Sequence, residues 1–356
     1  MPIRAGLLLL LLLCAPWARA DALDELLARE MAERHIPGLS LTLIREGKVV
    51  DERFLGVASV ELGVPVTRDS VFQVGSITKC FTAAVCQILE RAGVWRLTDP
   101  ASRWVDGLPT GWAKVTLGDL LSHTSGLDDW RGFDSFSFGT DYTPTAFVEL
   151  FGARQPNLEP GTRYVYSSVG YALLGMAIER ATGQSFDKVI AERVFRPLGM
   201  SQSRIVPYSE VVPNRVAGYQ FREGRNLNGF PLRGRLTAPS GGALSTSGDL
   251  ARFLNATDEE VLLQREEWLQ AWTPRRLMGG TSAPYGLGWN LSPIRGMAAQ
   301  KHTGTTPGGF RAMLLRLPER QIGLVLLINQ SETDVTELTE RILDVVLQKS
   351  ELRRAA

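Results

Sequence analysis

Ser76 and Lys79 stand three residues apart in Gly75-Ser76-Ile77-Thr78-Lys79, ahead of apolar residues on a helical period at Phe81, Val85, Ile88 and Leu89. The pattern predicts a buried helix within residues 74–97, stopped near Gly93, with Ser76 at its amino end. Three residues carry a helix almost once around, so the hydroxyl and the ammonium share one face. A serine hydroxyl is a poor nucleophile at neutral pH until a neighbour accepts its proton. A lysine in apolar surroundings is pushed towards the neutral form that can do so. That is the chemistry of a serine hydrolase whose base is not histidine. The spacing recurs at Ser185-Phe186-Asp187-Lys188, but the acid inside it and the preceding Thr182-Gly183 suit a solvated helix start, so Ser185 reads as a cap.

Two later stretches give the pair company. Tyr164-Val165-Tyr166-Ser167-Ser168-Val169-Gly170-Tyr171 follows Pro160-Gly161 and leads into a helix, and Tyr166 is the one tyrosine with Asn or Ser two places on. Lys301-His302-Thr303-Gly304-Thr305 ends a strand before Pro307-Gly308-Gly309, and His302 is the one His or Lys that opens a Thr-Gly pair. Ser76-x-x-Lys79, Tyr166-x-Ser168 and His302-Thr303-Gly304, in that order and at wide spacing, resemble the class C β-lactamase and penicillin-binding-protein-like family of serine hydrolases. Residues 120–127, 196–200, 241–246 and 285–289 agree with it, so the likeness runs from about Pro37 to Asn329.

The resemblance implies Ser76 as the attacking group and Lys79 with Tyr166 as its proton acceptor and relay, which then activate water for deacylation. A phenol ionises near pH 10, so lowering it takes nearby cations, Lys79 and a protonated His302. The oxyanion hole would be the N–H of Ser76 with that of Thr305, and Gly304 would let the substrate approach the strand edge. Ser168, His302, Thr303, Gly304 and Thr305 are the expected substrate contacts. Ser168 stands where the family usually has Asn, and His302 where the best-known β-lactamases have Lys.

These groups need a frame. Residues 21–35 carry Leu23, Leu26, Leu27 and Met31 at helical spacing, and residues 39–45 and 48–56 alternate as a hairpin around Glu46-Gly47. From Ser76 to about Trp272, helical segments such as 171–181 and 186–195 alternate with Pro- and Gly-rich loops, with little strand pattern. Strand pattern returns at 286–291, 298–303, 310–317 and 322–329, and a helix over 335–348 closes the chain. Strands at both ends with helices between imply an α+β fold: one antiparallel sheet made by both termini, residues 21–75 and 275–356, with a helical region inserted at 76–274. The expected site lies between them, in one catalytic domain overall.

Residues 1–20 read as a signal peptide, with Arg4, an apolar run at Leu7–Leu13 too short to span a bilayer, and Ala18-Arg19-Ala20 before Asp21. Leu13 before Cys14 argues against lipidation. Cleavage near Ala20 gives a periplasmic or secreted protein of about 336 residues with 37 basic against 38 acidic side chains, a balance that calls for neither nucleic acid nor an anionic membrane. Cys80 and Cys86 point to different faces of one helix and read as packed thiols. His123, in a turn before Gly126, reads as a backbone hydrogen-bonding group and His35 as surface. Three scattered histidines outside any Cys/His cluster argue against a built-in metal, and no cofactor is implied. Tyr171, Tyr285 and Trp289 suit either a pocket or the core. No Gly-x-Ser-x-Gly occurs, which disfavours a Ser-His-Asp α/β-hydrolase, and the intact triplet disfavours a scaffold. The expected partner is a small molecule, a β-lactam, D-amino-acid peptide or ester, and the expected reaction is hydrolysis of a β-lactam or related amide, with esterase and D-alanyl peptidase as alternatives.

Overall fold

Leu39 pairs with Ile328 across the centre of one sheet, which joins the two ends of the chain. The computed structural model describes residues 21–153, 158–230 and 234–355; the signal peptide expected at 1–20 lies outside them. In chain order the first part runs α1 (Ala22–Glu33), β1 (Gly38–Arg45), β2 (Lys48–Ser59), β3 (Val64–Pro65), β4 (Phe72–Gln73), α2 (Thr78–Arg91), α3 (Leu117–Leu121) and α4 (Pro144–Gly152). The middle holds α5 (Ser168–Thr182), α6 (Phe186–Ile190), β5 (Tyr219–Arg222), β6 (Arg225–Asn228), α7 (Ala238–Gly241), β7 (Leu244–Ser245), α8 (Ser247–Glu259) and α9 (Arg265–Ala271). Strands β8 (Gln300–Thr306), β9 (Phe310–Leu317) and β10 (Ile322–Ile328) and the helix α10 (Val335–Ala355) complete it.

The sheet order is β3-β2-β1-β10-β9-β8, antiparallel throughout. Nearly every residue of β1 and all of β10 are buried, because both faces of the sheet are covered. Leu41, Leu43, Leu315, Leu324 and Leu326 pack on one face against Leu23 and Leu27 of α1 and Leu338 and Ile342 of α10. Alternate residues Ile44, Leu314, Val325 and Leu327 join the larger core on the other face, with Phe81 and Val85 of α2 and Phe253 of α8. The two-residue period of a strand divides the apolar set between two cores. Strand β8 is left at the edge, beside the inserted helices.

Three expectations are corrected. Residues 286–291 are a loop, because Gly288 has φ +79°, and a Cβ on Gly286 would lie 2.0 Å from the Ala271 carbonyl oxygen. The loop threads too close to α2 and α9 to be a pleated strand. The middle region contains a hairpin, β5 and β6, whose signal is Glu223-Gly224 with φ of 52° and 74°. Ser185 stands at the start of α6 but its hydroxyl makes no capping bond; the Glu179 carboxylate accepts from the Phe186 N–H instead, at 2.9 Å.

Candidate active site

Two glycines make the close approach on which the site depends. Gly75, at φ +53°, starts the 3₁₀ turn Gly75–Ile77 that feeds α2, and a Cβ there would lie 2.8 Å from the Thr305 nitrogen. A Cβ on Gly304 would lie 2.0 Å from the Val74 carbonyl oxygen. Both positions lack side chains, so the edge strand β8 lies flat against the turn that carries Ser76. The space a side chain at Gly304 would need is therefore taken by Val74. The Thr78 hydroxyl steadies the turn, donating to the Gly75 carbonyl at 2.7 Å and accepting from the Ala243 N–H at 3.1 Å.

Lys79 is fully buried. Its Nζ lies 3.2 Å from Ser76 Oγ, 3.3 Å from Ser168 Oγ and 2.8 Å from the Ser240 carbonyl oxygen. Rings of Tyr166 and Tyr171 close the other side, with centroids 4.9 and 5.3 Å away. One ammonium thus links helix α2, the start of α5 and the turn of α7, while Ser76 keeps part of its surface open.

Residues 164–168 are aimed by groups more than 30 positions earlier. Asp129 accepts from the Ser168 N–H at 2.8 Å, and the Asp128 carbonyl accepts from the Ser167 hydroxyl at 3.0 Å. His123, fully buried at φ +57°, accepts the Ser167 N–H on Nδ1 at 3.1 Å, and its ring lies 4.2 Å from that of Tyr166. It does bond backbone, across to the Tyr166 segment rather than within its own turn. Burial, with the nearby Lys79 charge, holds its pKa well below the ordinary value.

His302 differs from expectation. The Thr303 carbonyl, 2.8 Å from Nδ1, can only accept, so Nδ1 carries the proton and Nε2 accepts from the Tyr285 hydroxyl at 2.7 Å. Burial first, and the Lys79 charge second, push the pKa down to about 3. The imidazole is neutral at physiological pH, which leaves Lys79 as the cation beside Tyr166. A consequence is measurable. In the unfolded chain histidine titrates near 6.5, so below that pH the unfolded state binds a proton that folded His302 refuses until about pH 3. Stability present above about pH 6.5 is lost as pH falls, at up to about 1.4 kcal/mol per pH unit for the one proton. His302→Asn should flatten the fall of Tm between pH 6.5 and 4; an unchanged slope would refute a neutral buried imidazole.

Ser76, Tyr166, Ser168, His302, Thr303 and Thr305 line one cavity of about 800 Å³, with Trp130, Phe138, Tyr208, Arg215 and Tyr285 further along its wall. Lys79 touches it only through the two serines. The Thr305 hydroxyl is held by Arg311 Nη1 at 2.6 Å. Tyr285 lines the cavity, whereas Tyr171 and Trp289 are core residues. Cys80 and Cys86 are free and buried, with burial pushing both thiols up; Cys80 Sγ lies 3.1 Å from the Gly288 carbonyl oxygen. His35 is exposed and stacks on Phe221. Sequence reasoning missed Asp129, Arg215 and the Ser240 carbonyl. The first two are single polar residues with no motif, and the third is backbone.

The model of the family described as Beta-lactamase matches residues 23–347. Penicillin-binding protein 4 of Amycolatopsis lactamdurans is 33% identical to this chain, over 83% of it and 82% of the relative. The Beta-lactamase of Escherichia coli (strain K12) is 26% identical over 89% and 92%. Among solved structures, the D-amino acid amidase from Ochrobactrum anthropi SV3 complexed with L-phenylalanine superposes with a TM-score of 0.78 at 26% identity, covering 93% of this chain and all of that one. With the sheet, the edge strand and the Ser76–Lys79 pair arranged as described, the chain is a serine hydrolase and belongs to the beta-lactamase family.

Proposed function

We propose that the chain is an exported hydrolase that opens a β-lactam or a related small amide through an acyl-enzyme on Ser76. The observation that carries this reading is the Lys79 ammonium, fully buried and 3.2 Å from the Ser76 hydroxyl. In its neutral form the amine can take the proton as Oγ attacks. Tyr166, beside Lys79, relays that proton to the leaving amine and then helps to draw one from the deacylating water. Negative charge on the carbonyl oxygen is met by the N–H of Ser76 at a helix amino end and by that of Thr305, which the missing Gly75 side chain lets come close. A penicillin-binding protein, a beta-lactamase and a D-amino acid amidase among its relatives support an amide substrate. The pattern of residues 1–20 supports export to the periplasm or medium, where antibiotic hydrolysis would protect a cell. No described helix is long and apolar enough to cross a membrane.

A second reading, small-ester hydrolysis, is favoured by His302. A neutral imidazole with both nitrogens engaged gives β8 no cation at that place for the carboxylate of a β-lactam or peptide. Steady-state rates on a penicillin, a cephalosporin, a carbapenem, a D-Ala-D-Ala peptide, a D-amino acid amide and a short-chain ester separate the readings. Turnover confined to the ester would sink the first. Intact-mass detection of an adduct on Ser76 tests the mechanism.

Ser168→Asn sharpens the choice. Ser168 faces both Lys79 and the cavity, and an amide there would keep an acceptor for Nζ while adding a donor towards substrate. The variant should raise kcat/KM about three- to tenfold for β-lactams with large acylamide side chains, from one orienting hydrogen bond. Simple esters should change little. An equal change on both substrate types would remove Ser168 from the substrate contacts.

A further inference from the structure

Arg215 is the feature of the cavity wall that the hydrolytic chemistry does not use. Its backbone is bridged to Val71, with Val71 N–H donating to the Asn214 carbonyl at 2.9 Å and Val216 N–H to the Val71 carbonyl at 3.0 Å. Val71 runs through β4 into the Ser76 turn. Five residues at no more than about 3.4 Å each put Val71 within about 17 Å of Ser76, and Arg215 is its neighbour. The guanidinium reaches into the same cavity that Ser76 opens on.

Its surroundings are those of a cation waiting for an anion. Nη1 donates to the carbonyls of Tyr208 at 3.2 Å and Glu210 at 3.5 Å, and Cζ lies 4.7 Å from the Tyr208 ring centroid. Among the described residues no carboxylate pairs with it, and Nε and Nη2 donate to no protein atom. The side chain is half-buried, and burial pulls its pKa below the ordinary arginine value. Other cations of the wall are spoken for: Arg235 pairs with Glu179 at 2.6 Å, and Lys301 Nζ donates to the Ser292 and Pro293 carbonyls at 2.6 and 3.2 Å. A half-buried cation with open planar donors is suited to a carboxylate, which takes two parallel hydrogen bonds from it.

We propose that Arg215 is a specificity-determining residue that receives a carboxylate carried by the substrate several bonds away from its scissile carbonyl. The limb beside Gln73, Val206, Tyr208 and Leu244 holds the connecting part. This rests on Ser76 as the nucleophile. It shifts anion recognition from β8, where His302 is neutral, to the loop bridged to the segment that precedes the nucleophile, and it selects acyl groups that end in an acid.

The test compares p-nitrophenyl monoesters of succinic, adipic and suberic acids with the same esters methylated at the far carboxyl. The readout is p-nitrophenolate released in acylation, which needs no deacylation. For at least one chain length the free acid should acylate faster than its methyl ester, and added salt should erode the ratio. Arg215→Gln should lower that ratio roughly 10- to 100-fold, as expected for a charged hydrogen-bonded pair; Arg215→Lys should restore part of it. A ratio that is the same in wild type and Arg215→Gln, or at or below one at all three lengths, overturns the proposal while leaving Ser76 as nucleophile. A wild-type ratio above one that added salt leaves unchanged overturns the proposal as well. Absence of release from every ester, with Ser76 unmodified by intact mass, overturns the underlying reading instead.

Discussion

Ser76→Ala is expected to abolish turnover of every substrate while the protein stays folded. The hydroxyl is the atom that would form the acyl bond; the other serine on the cavity wall within reach of Lys79 Nζ, Ser168, is buried, whereas Ser76 is partly exposed to the cavity. The structural cost is small, because Ser76 is partly exposed and, among the described residues, its hydroxyl is bonded to an ammonium that keeps Ser168 and Ser240 as partners. Tm should change by no more than a few degrees, in keeping with a loss of about 1 kcal/mol. Loss of activity with a retained melting transition, and loss of any adduct by intact mass, is the expected pair of results. Activity near that of wild type would remove Ser76 from the mechanism.

Lys79→Ala should cost a factor on the order of 10² to 10⁴ in kcat, the range for a lost proton transfer. Tyr166 remains on the same cavity wall as the nucleophile in this variant, so some activity survives; a loss smaller than tenfold would make Tyr166 the base by itself. A second readout belongs to Lys79 alone. Its positive charge is one of the causes that hold His123 and His302 neutral, after burial. Removing it should raise both imidazole pKa values, which shortens the window of acid destabilisation, because folded and unfolded values then lie closer together. The imidazole signals should titrate at higher pH in Lys79→Ala than in wild type. No movement would mean that the two rings do not feel the ammonium.

Much of the site was legible because its chemistry sits in short motifs. Ser76 and Lys79 are one helical turn apart, so their meeting is a property of local sequence, and the tyrosine and histidine stretches announced themselves by order and by the glycines and prolines around them. The fold class was legible for a similar reason: apolar runs of strand length at both ends of the chain and helical periods between them leave few ways to build one sheet. Tertiary structure decided what depends on distant neighbours. His302 as a sequence residue is a titratable group near neutrality; as the partner of Tyr285 and Thr303, buried near Lys79, it is a neutral one. Gly304 as a motif residue says nothing of its neighbour, yet a side chain there would meet Val74, 230 positions earlier. His123 and Asp129 orient the Tyr166 segment from more than 30 residues away, and Arg215 reaches the cavity because its backbone is bridged to Val71. Which groups share one helical turn can be read from spacing alone. The protonation state of a side chain, and the partner it faces, depend on burial and on residues that only the folded chain brings together.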